Sequence, residues 1–308
     1  MITESDQTTP ISGAYGLAMD GSLINDRLVQ DELVRAPTSW PSWEIRWRVP
    51  EAEQVLQPVT AMTWSPEQAV FPSATGGRIT IERIGACTTL ELDEPPTAAA
   101  LLHPLLASTG MIVGHWLGRF PFHAGAFQFA GRAWGVLGGR EMGKSSLLMG
   151  MHSHGLPILT DDLLVLNGNT AYAGPRCLDL RKSAADHFGA GEYLGVIGTR
   201  ERWRVDLAPI EAEVPFAGWV LIGWSDRISV DAPTPSTRLA ALAQNRALTL
   251  PGVAAPGLLD ALQFPMVAFA RPRDWHQADA ATSTLLRALE EQGDASEGRW
   301  GGHVPAAP

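Results

Sequence analysis

A chain of 308 residues, 45% hydrophobic and 18% charged, is long enough for one large α/β domain or two smaller ones with real cores. Its formal net charge of −10 and pI near 5.3 argue against a nucleic-acid or basic membrane-surface partner, because phosphate surfaces demand clustered Lys and Arg. The two cysteines, Cys87 and Cys177, form neither a disulfide framework nor a metal knuckle; they read as small buried hydrophobes in a reducing compartment, so a cytoplasmic location is expected.

The start, MITESDQTTPISG, is polar and acidic with no basic-then-apolar order, so it reads as no signal peptide and residues 1–12 are expected to be disordered. Residues 13–96 read as a small antiparallel β unit. Glu44 to Val49 alternates, with Ile45, Trp47 and Val49 on one face. Shorter strand signals follow at 59–64, 78–84 and 88–92, parted by turn clusters. Trp40, Trp43 and Trp47 are expected as core and cover. The apolar stretch Ala98 to Leu117 holds His103, Pro104 and His115, so it reads as a buried helix broken near Pro104 and not as a membrane span.

From residue 97 to 290 the pattern is α/β. FPFHAGAFQF is a strand, a Gly-Arg turn follows, and AWGVL is a second strand. That strand feeds GGREMGKSS, where Gly138, Gly143, Lys144 and Ser145 match G-x-x-x-x-G-K-[S/T]. Glycines let the backbone turn its N–H groups onto an anion, and the next helix adds its positive end. The apolar helix after the loop closes at Gly155. A strand over 156–160 then ends in Asp161 and Asp162, and Asn167-Gly168 marks a hairpin. Further expected elements are strands near Val205, Gly218–Gly223 and Met266–Ala270, and helices from about Ser236, Pro256 and Asp274 to Glu290. Residues 291–308 are expected to be a disordered tail.

Phosphoryl transfer needs a phosphate cradle, a metal between the β- and γ-phosphates and a group to take the acceptor's proton. Gly138, Gly139, Arg140, Glu141, Met142, Gly143, Lys144, Ser145 and Ser146 form the candidate ATP cradle. Adjacent acids on an extended segment point opposite ways, so one of Asp161 and Asp162 can face a metal and the other an acceptor.

Taken together, HAGAFQFAGRAWGVLGGREMGKSS and LPILTDD resemble the bacterial HPr serine kinase family, closely over about 45 residues. The resemblance implies the P-loop kinase core of HPr kinase and PEP carboxykinase type, built on a mixed sheet. It implies ATP and Mg²⁺, with Asp161 as the catalytic acid that deprotonates the acceptor, His123 as its partner, and Lys144 on the phosphates. Ser145 and Asp162 are then the Mg²⁺ contacts. A protonated His123 is expected to lower the pKa of Asp161. Arg140, Glu141 and Met142 depart from the small residues usual in that loop, and GPRCLDLRKSAADHFG and RERWRVDL look more like HPr-kinase-related proteins of peptide natural-product pathways, including lasso-peptide precursor kinases. The implied acceptor is a hydroxyl, a serine foremost, on a peptide or protein; a small metabolite, or a regulatory subunit without transfer, are the alternatives. Arg176, Arg181, Arg202 and Arg204 are candidate phosphate contacts, and a homo-oligomer is left open.

Overall fold

The computed structural model describes residues 11–51, 59–249 and 257–300, with side chains as far as 292. The chain is mixed α/β, and three sheets carry it. In the first lie β1 (Ser12–Ala14), β2 (Leu17–Asp20), β3 (Val34–Arg35), β4 (Ser42–Arg48), β5 (Thr63–Trp64), β6 (Gln68–Pro72), β7 (Arg78–Glu82) and β8 (Cys87–Glu91). Their order is β3-β1-β2-β4-β8-β7-β6-β5. The wholly antiparallel unit expected from sequence is corrected here: β4 runs parallel to both β2 and β8. The short α1 (Arg27–Gln30), capped by the Asp26 carboxylate, lies in the link that lets the chain return in the same direction.

Strands β1 and β2 meet through Tyr15-Gly16, both at positive φ, the geometry of a two-residue hairpin turn. Tyr15 is fully buried, and its N–H donates to the Ala173 carbonyl at 2.7 Å, so this turn plugs the first sheet into the rest. One hydrophobic core runs from Ala14 through Ile45 and Leu90 to Phe216 and Trp219. The tryptophans act as core and cover: Trp40 and Trp43 are buried and their indole N–H groups reach Glu213 and Thr88, while that of Trp47 reaches the Leu92 carbonyl.

A single helical turn over Ala98–Ala100 leads into the break expected near Pro104. His103 there is extended, at φ −152° and ψ 118°, as a residue before proline tends to be. α2 (Leu106–Trp116) continues beyond it. By length and composition alone Ala98–Trp116 could cross a membrane. Its broken backbone and the burial of Leu101, Leu105, Ile112 and Val113 make it a core helix of this fold.

The second sheet takes β9 (Phe120–Phe122), β10 (Gly125–Phe129), β11 (Arg132–Leu137), β12 (Ile158–Thr160), β13 (Leu164–Asn167) and β14 (Thr170–Tyr172). A separate antiparallel sheet holds β15 (Cys177–Leu180), β16 (Glu192–Ile197) and β17 (Arg200–Asp206), after which β18 (Glu213–Trp224), β19 (Ser229–Asp231) and β20 (Met266–Arg271) rejoin the second. The second sheet is mixed: β11, β18 and β20 are parallel neighbours, while β10 lies antiparallel between β11 and β12. Long β18 serves three partners, pairing β14 at its start, β11 through its middle and β20 at its end. Trp219 of β18 is fully buried beneath Gly135, where a Cβ would fall 2.7 Å from its ring. The hairpin turn falls at Gly168-Asn169, one residue later than the sequence suggests, because Asn167 pairs with Thr170.

The remaining helices are α3 (Lys144–Ser153), α4 (Lys182–Phe188), α5 (Pro235–Gln244), α6 (Gly257–Leu262) and α7 (Ala278–Trp300). α7 runs on past the boundary expected at Glu290, and residues 301–308 of the expected tail lie outside the described residues, as do residues 1–10 of the expected disordered start. Both cysteines are free and buried, as expected.

Candidate functional site

Parallel β11 and β18 bring their C-terminal ends together, and the loop 138–143 fills the turn from β11 into α3. Two glycines are required there. A Cβ on Gly138 would lie 2.6 Å from Ile222, and Gly143 stands at φ 81°, packed under Trp224. No side chain caps α3, so its first N–H groups and its dipole face the loop. Lys144 folds back to donate from Nζ to the Gly138 carbonyl at 2.8 Å. Burial holds the Lys144 pKa below its usual range, with Asp162 and Asp161 opposing that shift. In the unusual middle of the loop, Met142 packs against the core cluster that holds Val136 and Leu148, and Glu141 makes an exposed pair at 3.2 Å with Arg181. Gly139, Arg140 and Glu141 are exposed, and with Ser146 they line the mouth of a cleft of about 940 Å³.

The two acids at the end of β12 part company. Asp161 is buried, and the Ser145 hydroxyl donates toward its carboxylate at 3.3 Å. Asp162, at φ 63°, lines the cleft. Its Oδ2 is 2.9 Å from His103 Nε2 and 3.4 Å from Arg200. The division of partners therefore differs from the expectation, since Ser145 meets Asp161 and not Asp162. His123, between β9 and β10, lines the same cleft. Its Nδ1 lies 3.1 Å from the backbone oxygen of Asp162, so it is placed beside the pair without a bond to the Asp161 carboxylate. Though its ring opens to the cleft, desolvation and the charge of Lys144 hold its pKa down. Contact with that carbonyl makes Nδ1 the donor, and the lowered pKa favours Nε2 as an acceptor; the lowering of the Asp161 pKa expected from a protonated His123 is corrected, since Asp161 is raised.

The histidine whose proton affinity the site raises is His103, which sequence reasoning assigned to a helix; Arg202 Nη1 also lies 2.7 Å from its Nδ1. Burial alone would lower its pKa, but hydrogen bonds to Asp162 and to Asp179, each at 2.9 Å, raise it to about 9. Asp179 of β15 also takes Arg202 at 2.7 Å and Arg204 at 2.8 Å. Burial opposes ionisation of Asp162 and Asp179, yet these cations keep both well below the usual carboxylate range. Asp161 has no cation within ion-pair distance among the described residues: burial first and the charge of Asp162 second push it up to about 7, against the more distant His103 and Arg200. Of the candidate arginines, Arg202 and Arg204 are spent on Asp179, and Arg176 holds the carbonyls of Ile158, Leu159 and Ala208. Only Arg181 remains at the cleft with a partner that is itself exposed, while Arg200 and Arg271 were missed. The one sequence signal for the His103 network was a histidine and an acid embedded in apolar runs, LLHPLL and CLDL.

In this mixed α/β protein the loop, Lys144, Ser145 and the buried Asp161 thus lie together beside one cleft. Lys144 has no carboxylate within ion-pair distance among the described residues, which fits a phosphate in its place. Ser145 and Asp161 offer adjacent oxygens for a hard cation, and no cluster of three His, Cys, Asp or Glu occurs among the described residues. A Mg²⁺ would therefore complete its shell with phosphate oxygens and water.

No family model matches the chain, and no curated protein matches it. Among solved structures, the HPr(Ser) kinase/phosphatase from Coxiella burnetii is similar at a TM-score of 0.30 and 13% identity, over 56% of this chain and 98% of that one. A likeness that loose bears no weight beside the geometry above.

Proposed function

We propose that the chain is an ATP-dependent phosphotransferase that moves the γ-phosphate to a hydroxyl of a peptide or protein. The observation that carries this reading is the convergence, at one end of the second sheet, of the uncapped α3 N-terminus, Lys144 folded over the loop, and Ser145 bonded to a buried acid. In this reading the loop amides and Lys144 hold the nucleotide phosphates, and Ser145 and Asp161 hold Mg²⁺. Bound there, ATP would supply the phosphoryl group and Mg²⁺ would supply charge neutralisation for its transfer.

Asp162 then faces the acceptor. The chain's own part in the chemistry is to orient the incoming hydroxyl against Asp162 Oδ2 and to accept its proton there. A carboxylate held ionised by His103 is a weak base, but transfer through a loose transition state asks for placement before basicity. His123 Nε2 stands ready as a second acceptor beside it. The roles of the two acids are thus exchanged relative to the sequence expectation. Arg200 lines the same cleft, and the peptide class rests on the sequence resemblance.

The test is ADP release from Mg-ATP with serine-bearing peptides. Stimulation by peptide that Asp162→Asn loses supports the reading. Transfer undiminished in Asp162→Asn shows the assigned acceptor-side acid to be wrong.

A further inference from the structure

The phosphate-loop pattern explains one buried cation, yet a second presses on the same loop from outside it. Arg271 is the last residue of β20 and only 7% exposed. Its Nη2 donates to the Gly143 carbonyl at 2.9 Å, where the loop becomes α3. Its guanidinium lies over Trp224, 4.7 Å from the ring centroid, and over Phe269 at 5.4 Å. Nη1 is buried and has no hydrogen-bond partner.

Arg202 and Arg204 share Asp179, whereas no carboxylate comes within ion-pair distance of Arg271 among the described residues. Burial alone acts on it, lowering its pKa to about 10, and no acid opposes that. A buried cation without an anion is costly, and π-faces repay only part of that cost. A fold that keeps one beside a phosphate loop, lining the same cleft as Lys144, has a place for an arriving anion.

We propose that Arg271 is a second phosphate-binding residue for a nucleoside di- or triphosphate, contributed by β20 and clamping the nucleotide from the side opposite Lys144. This rests on the reading of the loop as a nucleotide site. Trp224 fixes the plane of the guanidinium, and the Gly143 carbonyl anchors one edge of it, so the remaining donors are held ready.

The experiment is calorimetric titration of ADP and of inorganic pyrophosphate into the full chain, as wild type, Arg271→Gln, Arg271→Lys and Lys144→Ala, with thermal unfolding of each unliganded protein. Arg271→Gln should weaken both ligands roughly ten- to a hundredfold, the scale of a lost charge-assisted hydrogen bond. Arg271→Lys should recover most of that loss, and unliganded Arg271→Gln should unfold no lower than wild type, since an unpaired charge has been removed. Unchanged affinities in Arg271→Gln overturn the proposal. So does a loss that lysine does not recover and that comes with a lowered unfolding temperature, which would make Arg271 a brace for the loop. Failure of the wild type to bind either ligand sinks the nucleotide reading itself, whereas normal binding in Arg271→Gln with loss in Lys144→Ala sinks only this inference.

Discussion

Replacing His103 by glutamine tests the electrostatic centre of the site. The imidazole bridges Asp162 and Asp179 with two 2.9 Å contacts and is nearly inaccessible to water. Its pKa rises from 6.5 to about 9 on folding, because the folded chain binds that proton more tightly than the unfolded chain does. The stabilisation is therefore complete below pH 6.5 and drains away as pH climbs through about 9. At roughly 1.4 kcal/mol for each tenfold gain in proton affinity, that rise sets the scale at about 3 kcal/mol. Glutamine keeps the size and a donor but cannot carry the charge. Urea unfolding of wild type and His103→Gln should therefore differ most at about pH 6, and that difference should shrink by about 3 kcal/mol at about pH 9.5. A gap equal at both pH values would refute the charged bridge and leave His103 as a packing residue.

Further outcomes follow from the same geometry. Asp162→Asn should cut phosphoryl transfer by roughly 10²- to 10⁴-fold while leaving nucleotide affinity near wild type, measured as kcat against Kd. Asp161→Asn should instead raise the Mg²⁺ concentration needed for half-maximal nucleotide binding, since Ser145 then faces a neutral amide. Gly135→Ala should destabilise by about 1–3 kcal/mol, read as a lower denaturation midpoint with unchanged slope, because the new methyl meets the Trp219 ring at 2.7 Å.

The loop and its flanking elements were legible because their signals are local. Glycines at Gly138 and Gly143, a short apolar run with Trp134 and Val136 before them and an apolar helix after them lie within one short segment. The break at Pro104 was legible for the same reason. The His103–Asp179 contact joins residues far apart in the chain, and periodicity says nothing about such pairs. The same holds for Arg271, brought to the loop from β20 only by the parallel pairing of β18 with β20. The β1–β2 hairpin was missed although Tyr15-Gly16 is a turn signal, because its strands are only a few residues long. The parallel placement of β4 could not be read from its alternation, which is the same for either direction.

The central claim is that the loop between β11 and α3 binds nucleotide phosphates. Calorimetric titration of Mg-ATP into wild type and Lys144→Ala tests it most directly. Saturable binding near one per chain in wild type, weakened roughly ten- to a hundredfold in Lys144→Ala, is the outcome expected of a buried lysine on a phosphate. Equal affinity in the two proteins, or no binding to wild type, would contradict the account.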